Sequence, residues 1–186
     1  MTTRARDGLL HELRSYLPAD ARERAMRDRI VALIATHANA FERSLSSGHV
    51  TASAWIVDPE RTCVLLLHHR KLDRWLQPGG HADGDFDLRR AALREAREET
   101  GLTSLRFASD RIYDVDVHAI PARPGEPAHE HFDVRFALEA DPEEPLARSD
   151  RESRDVAWVP LDDLASYGVD ESVMRLARKT PSLRRA

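Results

Sequence analysis

Cysteine is almost absent: the chain of 186 residues has one, Cys63, so no disulfide can form within it, which fits a reducing cytosol and a cytoplasmic protein. Cys63 lies in an apolar run and reads as a small buried hydrophobe. No apolar run reaches the roughly 18 residues of a membrane span, and the start, MTTRARDGLL, lacks the apolar core of a signal peptide. Residues 4–14 are rich in Arg, but Asp7 and Glu12 argue against a transit peptide. An excess of basic charge is also missing. The net charge is −4 with acids and bases interleaved, so no face for duplex nucleic acid is expected and the partner should be a small molecule. No repeat or low-complexity segment occurs. The length suits one domain with an elaboration.

What is present centres on residues 79–102, GGHADGDFDLRRAALREAREETGL. From Asp87 the segment has helix-forming composition and no Gly or Pro until Gly101, with Asp85 or Asp87 as the cap. At roughly 100° per residue, Leu88, Ala91, Ala92, Glu98 and Glu99 all fall within about 60° of Glu95. One stripe thus begins apolar and continues as three carboxylates, while Arg89, Arg90 and Arg97 take the opposite face. Carboxylates aimed at the interior repel one another and lose hydration, which calls for a compensating cation. A hard divalent ion with oxygen ligands would serve; the alternative is a charged helix held by pairs such as Arg94 with Glu98.

The stretch resembles the Nudix box, G-x5-E-x7-R-E-U-x-E-E-x-G-U, with Gly80, Arg94, Glu95, Ala96, Glu98, Glu99, Gly101 and Leu102 in register. The early box Glu is Phe86 here, flanked by Asp85 and Asp87, either of which could brace Arg94 in its place. The resemblance implies a Nudix (MutT-like) α/β/α sandwich with a mixed sheet over about residues 45–180, and hydrolysis of a nucleoside diphosphate linked to X. It places Mg²⁺ or Mn²⁺ on Glu95, Glu98, Glu99 and Gly80, and assigns catalysis to Glu98, Glu99, Glu95 and Arg94. The base could be a box Glu or Glu126, Glu130, Glu143, Glu144 or Glu152. Two rival readings are a house-cleaning nucleoside triphosphate pyrophosphohydrolase and a non-catalytic ligand sensor. Retention of all three metal-binding glutamates favours an enzyme.

Residues 4–17 and 20–45 read as two helices broken by Pro18, with Ile30, Val31, Leu33, Ile34, His37 and Phe41 as a packing face. We take 1–45 as a helical extension, resting on the main domain or on a second copy in a homodimer, and 46–186 as the main domain. Strands are expected at 49–57, 62–69, 105–108, 111–120, 129–138 and 156–159, with loops at 71–80, 121–127 and 140–150 and helical segments at 161–164 and 170–179. Arg70 and Arg74 could contact phosphate, and Trp75 could stack on a base or pack its loop; Trp158 and Phe136 read as core.

Seven of the nine histidines lie between His49 and His131. His129, His131 and Asp133 alternate and so share a strand face; with His49 and His81 they make a set suited to Zn²⁺ or Mn²⁺, or to phosphate. This set also resembles the metal site of the isopentenyl-diphosphate isomerases, Nudix relatives. Their nucleophilic Cys has no counterpart, because the position is Gly79, so that activity is not expected. His68 and His69 read as cleft or surface residues, His11 and His37 as helix residues.

Overall fold

The computed structural model describes residues 2–123, 125, 127–147 and 153–183. Among the described residues the α-helices are α1 (Thr2–Ser15), α2 (Ala21–Thr36), α3 (Leu88–Thr100) and α4 (Glu171–Lys179). The strands there are β1 (Gly48–Val57), β2 (Cys63–His69), β3 (Arg74–Leu76), β4 (Gly79–His81), β5 (Arg106–Phe107), β6 (Asp114–Ile120), β7 (His129–Glu139) and β8 (Ser153–Pro160). This is the expected α/β class with helices ahead of the first strand. Hydrogen-bonded neighbours run β3-β2-β1-β7-β5, with β4 on β1, β6 on β7 and β8 on β2. Among the described residues no helix is long and apolar enough to cross a membrane.

The chain forms two compact units. The first comprises Met1–Ala52, Gly80–Ala91 and Ile112–Arg135. In it, Asp20 caps α2 by accepting from the Glu23 N–H at 2.8 Å. Glu23 is fully buried, yet it is satisfied by the Tyr16 hydroxyl and by the Ala19 N–H. α2 ends at Thr36 rather than running to residue 45. Beyond it the backbone is used otherwise: Ala40 O accepts from Val50 N–H and Phe41 O from Gly84 N–H, while the Phe41 ring packs on Phe86 at 4.7 Å. These contacts outweigh helix propensity. His37 is exposed and belongs to no packing face. β6 and β7 form an antiparallel ladder, with Asp114 opposite Arg135, Asp116 opposite Asp133, His118 opposite His131 and Ile120 opposite His129.

The second unit comprises Ser53–Gly79, Ala92–Arg111 and Phe136–Ala186. Val64–Leu67 are buried because β2 is central there: β8 pairs along its whole length, and β1 and β3 pair with its two ends. Trp55 is fully buried and donates to the Thr180 hydroxyl at 2.9 Å. Gly101, at φ +74°, ends α3; a Cβ there would meet Ala147 at 2.6 Å. β3 and β4 occupy what was expected to be loop, since three-residue strands have no period of their own and exist through their partners. Cys63 is half-buried, at the first position of β2, rather than fully inside.

Candidate active site and metal centre

The cap of α3 is Asp87: its carboxylate accepts from Arg90 N–H at 3.1 Å, and its carbonyl takes the first helical bond from Ala91. Asp85 instead holds the Arg90 guanidinium through two bonds of 2.7 Å. Phe86, where a box Glu would stand, is an apolar contact for Phe41.

The carboxylate stripe is only partly inward. Glu95 and Glu99 are 9% and 4% exposed, but the Glu98 side chain is 60% exposed, correcting the expectation of three buried acids. Glu98 lies at the edge of the stripe on the helical wheel, which is why position alone misjudged it. Nor do the two buried acids depend on an ion alone. Arg94 Nη1 sits 2.6 Å from Glu95 Oε1 and 3.6 Å from Glu98, and the Gly79 N–H donates to Glu99 Oε2 at 2.9 Å. Arg94 therefore finds its carboxylates on its own helix. Three oxygen-donor side chains within about one turn still make a hard, anionic set that fits Mg²⁺ or Mn²⁺. Gly79 itself is closely packed: a Cβ there would lie 2.3 Å from Ser53 Oγ. A cysteine cannot occupy that position without displacing β1, which agrees with setting the isomerase reaction aside.

His49, His81, His118, His129 and His131 all belong to the first unit, as does Gly80. One ring nitrogen from each of His49, His129 and His131 lies within 4.8 Å of the others, and His129 Nε2 is 3.3 Å from His131 Nε2. The His49 ring centroid is 5.1 Å from both of those rings and 4.9 Å from His81. Burial, then the Arg43 and His49 charges, lower the His81 pKa to about 4. Burial, then His118, His81, His49 and His129, lower that of His131 to about 2. Both rings are thus neutral near pH 7.

The sequence reading passed over the rest of this face. Directly opposite residues of an antiparallel ladder share a face, so His131, Asp133 and Arg135 of β7 line up with His118, Asp116 and Asp114 of β6. Arg135 is buried; its Nε donates to Asp133 at 2.8 Å, its Nη1 to Asp114 at 3.2 Å, and its Nη2 pairs with Asp116 at 3.1 Å. The three aspartates keep this guanidinium charged, against burial, which acts to lower its pKa. His118 Nδ1 is 3.0 Å from Asp116, and the Thr51 hydroxyl donates to Asp133 at 2.9 Å. The signal was available as a second alternation, Asp114-x-Asp116-x-His118.

The substrate-binding candidates lie in the second unit. Arg70 is exposed, and Arg74 is exposed beside Asp170 at 3.9 Å. Trp75 stacks on His68 at 5.2 Å and meets Tyr167 edge-on at 5.1 Å. Of the base candidates, Glu130 pairs with Arg29 in the first unit. In the second, Glu144 is bound by Thr103 and Ser104, and Glu143 is exposed. Glu126 and Glu152 lie outside the described residues.

The family model of the NUDIX domain matches residues 48–178. A curated relative, Nudix hydrolase 27 (chloroplastic) of Arabidopsis thaliana, is 55% identical over 38 residues, 20% of this chain. That match spans only 17% of the relative's length. The fold is similar to that of a C. elegans Ap4A hydrolase crystallised as a binary complex, at TM-score 0.58 and 21% identity over 72% of this chain and 95% of that one. It is likewise similar to a NUDIX-family hydrolase from Clostridium perfringens, at TM-score 0.55 and 24% identity over 73% of this chain and 98% of that one.

Proposed function

The chain belongs to the Nudix family, and we propose that it is a metal-dependent hydrolase cleaving a phosphoanhydride bond of a nucleoside diphosphate linked to X, giving a mononucleotide and phospho-X. The observation that carries this reading is the acid set of α3: Glu95 and Glu99, buried one turn apart, with Glu98 exposed beside them.

Glu95, Glu98 and Glu99 would hold Mg²⁺ or Mn²⁺. A bound divalent ion supplies charge neutralisation of the diphosphate and lowers the pKa of a coordinated water toward neutrality. The chain's own groups prepare the site. Arg94 pairs with Glu95, and the Gly79 N–H fixes the orientation of Glu99. Glu98, with the most solvent access, is the acid best placed to exchange protons with water. Arg70 and Arg74 are assigned to phosphate oxygens, and Trp75 to the base. Residues 1–45 are assigned as an extension to a hydrolase domain over 46–186, and the enzyme as cytoplasmic.

The test is a panel of triphosphates, dinucleoside polyphosphates, nucleotide sugars, NADH and CoA, assayed with Mg²⁺ and with Mn²⁺. At least one should be turned over, and Glu98→Gln should lower kcat by roughly 10²–10⁴-fold. Undiminished turnover in that variant would exclude the assignment.

A further inference from the structure

We propose that His49, His129 and His131 are the ligands of a Zn²⁺ ion, bound at a centre distinct from the carboxylates of α3. The first argument is spacing. Tetrahedral zinc with Zn–N bonds of about 2.05 Å has neighbouring donor nitrogens roughly 3.3 Å apart. His129 Nε2 and His131 Nε2 stand 3.3 Å apart, and one ring nitrogen from each of His49, His129 and His131 lies within 4.8 Å of the others.

The second argument is the proton. His129 Nδ1 lies 2.9 Å from the Pro127 carbonyl, which only accepts, so Nδ1 carries the hydrogen and Nε2 presents a lone pair toward His131. Fixing the tautomer from the far nitrogen is how metal-bound imidazoles are held. The opposite flank is built similarly: His118, whose ring is 5.5 Å from that of His131, is held by Asp116, and Asp116 by Arg135.

The third argument is charge. Three aspartates and one arginine, all buried, give the shared β6–β7 face a formal sum of −2. A dication at its histidine end offsets that charge. An all-nitrogen set selects a borderline ion such as Zn²⁺ over Mg²⁺, which prefers oxygen. A cavity lined by Arg43, Ser46 and Pro127 reaches His49 and His129 and provides an entry path. His81, with its ring 5.1 Å from that of His131, is a candidate for the fourth position.

The experiment uses the full chain after chelator stripping, titrated with Co²⁺ as a spectroscopic probe and with Zn²⁺ against a chromophoric chelator. One equivalent of Co²⁺ should give the intense visible bands of four-coordination, be displaced by Zn²⁺, and resist excess Mg²⁺. The double variant H129A/H131A should bind Zn²⁺ at least ~100-fold more weakly. Glu98→Gln should bind Zn²⁺ as the natural chain does, which separates this centre from the proposed hydrolase site. Should the histidine variant fail to fold, the natural chain alone decides, since Zn²⁺ must raise its Tm. Weak six-coordinate bands, no uptake, uptake lost in Glu98→Gln, or equal affinity in H129A/H131A would overturn the proposal.

Discussion

Replacing Arg135 with Met removes one cation from three acids, and the loss can be worked out. The guanidinium contacts Asp133, Asp116 and Asp114 at 2.8, 3.1 and 3.2 Å, and none of the four side chains is more than 6% exposed. Breaking a buried ion pair from one side costs about 3–5 kcal/mol. The least costly response is uptake of a proton. For a carboxyl of ordinary pKa near 3.9, protonation at pH 7.5 costs about 1.36 kcal/mol for each of roughly 3.6 pH units, or about 5 kcal/mol. At about 2–4 °C per kcal/mol for a chain of this size, Tm should drop by roughly 10–20 °C. At pH 5.5 the same uptake costs only about 2.2 kcal/mol, and the deficit should shrink to roughly 4–9 °C. The sign follows from linkage. In the variant the folded carboxyl has a pKa above its unfolded value, so the folded state binds more protons and gains stability as pH falls. Thermal melts of R135M and the natural chain, followed by circular dichroism at both pH values, read this directly, because pH effects common to the two proteins cancel. R135K, which keeps the charge but loses the fork, should fall between them. A deficit under about 3 °C at pH 7.5, or one that stays the same or grows at pH 5.5, would refute the reasoning.

Two further outcomes are expected. Gly79→Ala places a Cβ 2.3 Å from Ser53 Oγ and should cost about 1–3 kcal/mol, partly restored by adding Ser53→Gly; an unchanged Tm in the single variant would contradict the packing. Bonds from Ser104 and Thr103 hold the Glu144 carboxyl down to about 2, from 4.5, so its anchoring of residues 103–104 is complete above pH 4.5 and is lost as pH falls through about 2. An NMR titration of Glu144 should show that low midpoint and its rise in T103V/S104A; a midpoint near 4.5 in the natural chain would speak against those bonds.

What could be read from the sequence was whatever repeats along the chain. The 3.6-residue period found α3, alternation found β1 and β7, and a short apolar run found β2. β3 and β4 are too short to repeat, and the end of α2 is decided by hydrogen bonds to residues 50 and 84, which no local pattern contains. The same limit shaped the reading of the sites. Glu95, Glu98 and Glu99 were visible as a stripe, but the ion pair with the adjacent Arg94 and the N–H from Gly79 depend on rotamer and tertiary approach. His129 and His131 were visible as an alternation, whereas His118, Asp116 and Asp114 join them only through the register of β6 on β7.

Taken singly, each of those two alternations looks like the solvent face of a strand, since polar side chains at every second position normally meet water. Paired, they cannot be that, because Asp114, Asp116, Asp133 and Arg135 are all buried. A buried polar face persists only if each charge on it is matched. Arg135 answers for the aspartates at one end of the ladder, while the other end carries the imidazoles of His118, His131 and His129. The formal acid excess of this face therefore sits beside the imidazole cluster, where a dication would offset it.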